Sequence, residues 1–125
     1  MASFAGSQPD PDVRSVPFFA SGTIANATNV AITFDNVTES VQVVCTSTGD
    51  AAHALYFGVT TGGVEGTARL ALASGKDTGK IEGKFKQVVL RGGGSTCGYQ
   101  VLAVLSREAS ADYPDLTTAN GFSGV

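Results

Sequence analysis

The sequence has no tryptophan, one histidine and two cysteines in 125 residues, and charged residues make up 15% of it. Each shortage excludes something. A metal centre or catalytic dyad needs His, Cys or carboxylates at ligand spacing. The one histidine, His53, has no such company and sits beside a glycine-marked turn, so a solvated loop residue is expected there. Sugar sites usually present flat aromatic faces, but Tyr56 and Tyr99 fall inside expected strands and tryptophan is absent. The net charge is −3, and the eight Lys and Arg show only one cluster, Lys76 to Lys86. That balance excludes a phosphate-binding surface, so no nucleic-acid partner is expected. No apolar run reaches the roughly 18 residues of a membrane span. Residues 1–12 lack the basic start and apolar stretch of a secretory signal, so synthesis in a cytoplasm is expected. In that compartment Cys45 and Cys97 are expected as buried thiols, although both could point into one core and form a bridge.

What is present has a period of two. Large apolar residues alternate with small or polar ones in Val30-Ala31-Ile32-Thr33-Phe34, in Val41, Val43 and Cys45, and in Leu55, Phe57 and Val59. A weaker strand is expected near Thr67–Leu72, with two more over Lys80–Leu90 and Gly98–Leu105. Turn residues separate them: Asn36, Thr48-Gly49-Asp50, Thr60-Thr61-Gly62-Gly63, Ser74-Gly75 and Arg91-Gly92-Gly93-Gly94. About seven strands at this rhythm predict an all-β, antiparallel sandwich or barrel over residues 20–106. Val101–Leu105 is apolar on both faces, which predicts a central strand in a covered sheet, or one that faces a partner.

The ends differ from this middle. Residues 1–19 hold three of the four prolines with little periodicity, which favours an extended N-terminal arm. Residues 107–125 read as a second arm, with one helical turn near Glu108–Ala111 stopped at Tyr113-Pro114. Both carry apolar residues that a solvated tail rarely has. Phe4, Val16, Phe18 and Phe19 on one arm, and Tyr113, Leu116 and Phe122 on the other, are therefore candidate partner-interface residues.

Three short patterns invite chemistry and fail on context. Asp77-Thr78-Gly79 matches the signature tripeptide of retroviral-type aspartic proteases, but it lies between Lys76 and Lys80 where a hairpin turn is expected. Gly75–Lys80 falls one residue short of a phosphate-binding loop, and Ile81 stands where a magnesium ligand belongs. Asn26-Ala27-Thr28 and Asn36-Val37-Thr38 fit the glycosylation sequon but read as turn formers. No catalytic residue, cofactor or metal is expected, and the chain is not expected to be an enzyme.

The layout of Ser21-Gly22-Thr23-Ile24 leading into Asn29-Val30-Ala31-Ile32-Thr33-Phe34, within a Gly-, Ala-, Thr- and Val-rich domain flanked by arms, resembles small virion proteins of tailed bacteriophages. The likeness is closest to capsid decoration, or cement, proteins. It implies a structural virion protein, homo-oligomeric, whose partner is the major capsid protein or another virion protein. The alternative is a tail or fibre module that recognises a host-surface glycan or receptor.

Overall fold

The computed structural model describes residues 16–47, 54–94 and 96–125. Two four-stranded antiparallel sheets face each other, which selects the sandwich over the barrel. In the first sheet the order is β1 (Val16–Ile24), β8 (Cys97–Ala109), β3 (Asn36–Cys45) and β6 (Ile81–Glu82). In the second it is β2 (Asn29–Thr33), β7 (Gln87–Gly92), β4 (Leu55–Gly58) and β5 (Leu70–Leu72).

The core follows the alternation read from the sequence. Ile32, Phe34, Val41, Val43, Cys45, Leu55 and Phe57 are buried, joined by Val88, Leu90, Val101 and Ala103 from the opposing rows. Val30 and Phe18 pack against this cluster while half-buried. Phe18 meets Phe34 edge to face, with ring centroids 5.1 Å apart.

Four features depart from the expectation. Val16–Phe19 do not belong to an arm: they begin β1, which pairs with β8 along nine residues from Val16↔Leu105 to Ile24↔Cys97. An apolar residue at every second position, Val16, Phe18 and Ala20, suits a strand, and Pro17 is tolerated because β1 is an edge. The rest of the expected N-terminal arm, with Phe4, lies outside the described residues.

Second, the stretch expected as one strand over Lys80–Leu90 is two, one in each sheet. Thr38, fully buried, fixes the crossover between them. Its hydroxyl donates to the Gly83 carbonyl at 2.7 Å and accepts from the Phe85 amide at 2.9 Å, and its own amide bonds the Phe85 carbonyl. The strand β3 shifts register on both sides of Thr38 to make room for this.

Third, Thr61–Glu65 forms a short helix, α1, where a turn was expected. The Thr60 side chain accepts from the Gly63 amide and caps it. One turn is too short to show a helical period. Its buried Val64 rests on Gly58, where an added Cβ would stand 3.2 Å from the Val64 Cβ.

Fourth, the expected C-terminal arm is folded onto its own domain. The buried Ser110 hydroxyl donates to the Phe34 carbonyl and its amide to the Asp35 carbonyl. A 3₁₀ turn at Ser110–Asp112 stands where the helical turn was expected. The Lys86 ammonium then holds the Tyr113 carbonyl at 2.9 Å and the Asp115 carboxylate at 2.7 Å. Thr60 donates to the Val125 carbonyl, which lies against Gly63.

Candidate functional site

The sequence patterns that hinted at chemistry resolve into turn and strand geometry. Asp77 is exposed, and its carboxylate accepts from the Gly79 amide at 2.6 Å, an Asx turn. Thr78 donates to the Gly79 carbonyl and accepts from the Val43 amide, so its hydroxyl holds the turn to β3. Gly79 has φ +65°, which suits glycine in this turn. His53 lies outside the described residues. Among the described residues no group of three His, Cys, Asp or Glu could hold a metal ion. No helix among them is long and apolar enough to cross a membrane.

Three lysines of the basic cluster are paired: Lys80 with Glu82, Lys84 with Glu108 and Lys86 with Asp115. The Tyr113 hydroxyl donates to Glu108 at 2.5 Å; that bond and the Lys84 ammonium hold the Glu108 carboxyl below its usual range. The same contact pushes the Tyr113 phenol upward. Burial raises the Cys97 thiol, which donates to the Ala54 carbonyl, and Cys45 is likewise a buried thiol. A groove of about 430 Å³ runs beside Phe34, Lys86, Asp115 and Leu116, but its cation is engaged by the C-terminal segment.

The two outer faces of the sandwich differ. On the second sheet, α1 lies across β4 and β7, and Val64 and Val89 are both fully buried. Beside them Arg69 stacks over the Tyr56 ring, 3.7 Å from its centroid, and Arg91 joins Asn29 and Glu65. On the first sheet, among the described residues, no helix crosses the outer face. There Phe19 is 72% exposed and stands opposite Leu102, which is 36% exposed, with Pro17 opposite half-buried Val104. On β3, Gln42 stands opposite Leu102, and half-buried Val44 stands opposite Gln100. This uncovered apolar strip, ending at the edge strand β1, is the candidate docking face.

It brings together only part of the expected interface. Phe19 lies on it, whereas Phe18 turns inward and Val16, 45% exposed, shares the parity of Phe18 at the end of β1. Tyr113, Leu116 and Phe122 are half-buried in the segment packed on the domain, away from this strip. Leu102 and Val104 were missed as site residues. Their signal was legible in the two-faced apolar run 101–105, read as a central covered strand or one that faces a partner.

No family model and no curated protein matches the chain. Among solved structures it is similar to a chain from the disulfide-linked pili of Bacillus endospore appendages. The two are 18% identical, with a TM-score of 0.41, over 83% of this chain and 99% of that one.

Proposed function

We propose that this protein is a structural subunit that performs no chemistry and acts by docking the outer face of its first sheet against protein neighbours in an ordered assembly. The observation that carries this reading is the Phe19–Leu102–Val104 strip. Soluble monomers bury or scatter such groups, whereas contiguous exposed apolar patches accompany interaction surfaces. Aromatic anchors of this kind are typical of interface centres. The turn geometry of Asp77 and Thr78 supports the absence of a reaction centre.

The assembly we assign is a bacteriophage capsid surface, with copies of the chain and the major capsid protein as neighbours, following the resemblance of the sequence to decoration proteins. The test is sedimentation of the chain alone and with capsids, native and as Phe19→Asp. The native chain sediments as an oligomer or with the lattice, and the variant does neither while keeping its β spectrum. A native chain that stays monomeric and unbound, or a variant that binds as well as the native chain, overturns the proposal.

A further inference from the structure

Beyond the face, β1 is an edge with no partner strand among the described residues, and the registers fix its hydrogen-bond phase. In an antiparallel pair, opposed residues alternate between those that exchange both main-chain bonds and those that exchange none. On β3, Val43 and Cys45 bond away from β8: the Thr78 amide donates to the Val43 carbonyl, and the Cys45 amide to the Lys76 carbonyl. Gln42 and Val44 therefore bond to their β8 partners, Leu102 and Gln100. It follows that β8 uses Ala103, Val101 and Tyr99 toward β1, bonding Phe18, Ala20 and Gly22. Pro17 agrees with this phase, because it opposes Val104 at a position where β8 requires no amide.

The amides and carbonyls of Phe19, Ser21 and Thr23 consequently point out of the sheet. Among the described residues no strand lies beyond β1, and Val16–Ile24 carries no charge. Natural edges are usually blunted by lysine, by shortness or by a cover. Among the described residues the blunting consists of Pro17, whose missing amide closes the N-terminal end of the edge.

We propose that β1 pairs antiparallel with β1 of a second copy of this chain, about a two-fold axis at Ser21. This deepens the docking reading above and rests on it. The Ser21-centred register opposes Phe19 with Thr23 of the other copy and Ser21 with its equivalent. Three fully bonded pairs then give about six main-chain bonds, two from each pair. A register centred on Phe19 would set Ser21 against Pro17 and lose an amide, so the proline selects the first. A two-fold contact must complement itself. An uncharged strand flanked by Gln100, Leu102 and Val104 meets its own copy without like-charge repulsion, despite the net charge of −3. Pairing turns the two first sheets into one eight-stranded sheet and runs the apolar strip across the axis. The surface removed is on the order of 1,000 Å², the lower end of a specific interface.

The test uses the full chain and three variants. Ser21→Pro removes an outward amide and leaves the β8 ladder intact, so it should melt like the native chain. By sedimentation velocity its dimer dissociation constant should rise at least about tenfold. Ser21→Cys should crosslink to its own kind under copper–phenanthroline, since bonded partners stand about 5.5 Å apart between Cα atoms, within disulfide reach. Cys45 and Cys97 are buried and give no background. Self-association that survives Ser21→Pro but is lost in Phe19→Asp overturns the strand pairing and leaves the docking face standing. So does a monomer that binds capsids, as it would if residues 1–15 covered the edge. Association indifferent to both variants overturns both readings.

Discussion

A methyl group on Gly92 would stand 2.4 Å from the carbonyl oxygen of Ala25. The chain leaving β1 crosses to the second sheet at this point, and the Ala27 amide donates to the Gly92 carbonyl at 2.9 Å. The obstructing atom belongs to the backbone, so it cannot swing away as a side chain would. Gly92→Ala should destabilise the fold by about 1 to 3 kcal/mol, the usual cost of overpacking. Gly62→Ala meets nothing within 4 Å and serves as the control in the same denaturant melts.

Phe57 is 6% exposed and faces the core, whereas Thr33 is exposed at the end of β2. Phe57→Ala should cost about 3 to 5 kcal/mol through lost burial and the cavity left behind. Thr33→Ala should cost less than about 0.5 kcal/mol. Urea titrations of the two variants separate the inward from the outward positions.

Thr38→Val keeps the shape of the side chain and deletes its hydroxyl. The Phe85 amide and Gly83 carbonyl then lose a partner in a half-buried crossover. Leaving such groups unsatisfied costs about 1 to 3 kcal/mol each, so a loss of about 2 to 6 kcal/mol is expected. Hydrogen exchange at Phe85 should accelerate more than at Val101, which locates the damage at β6 and the crossover.

Glu108 is held ionised by the Tyr113 hydroxyl and, less strongly, by Lys84. Its folded-state pKa is depressed, so its contribution is complete above the ordinary carboxylate range and is lost as pH falls through the folded value. In NMR titrations the Glu108 carboxyl should protonate at lower pH than an ordinary glutamate. Tyr113→Phe should move it back upward, and an unchanged midpoint would show that the hydroxyl does not hold it.

The parity of the strands was legible because burial on one side leaves an alternation that a reader can count, as at Val41, Val43 and Cys45. The split at Gly83 was not, because one buried hydroxyl, Thr38, makes the corner and its partners are 45 and 47 residues away. The docking face was half legible. Phe19 stood out among prolines, but the run with Leu102 and Val104 read either as covered or as facing a partner, since a sequence does not reveal that α1 lies across the second sheet.

The position of β8 between β1 and β3 also governs the order in which the protein can be built. Both neighbours are made well before Cys97–Ala109, so the first sheet cannot close until that strand has left the ribosome. Such long-range pairing is slow to form, since distant segments must meet before any contact rewards them. On the edge pairing proposed above, the delay has a consequence: until β8 is in place, Phe19, Ser21 and Thr23 have no fixed phase and present no regular ladder to a second copy.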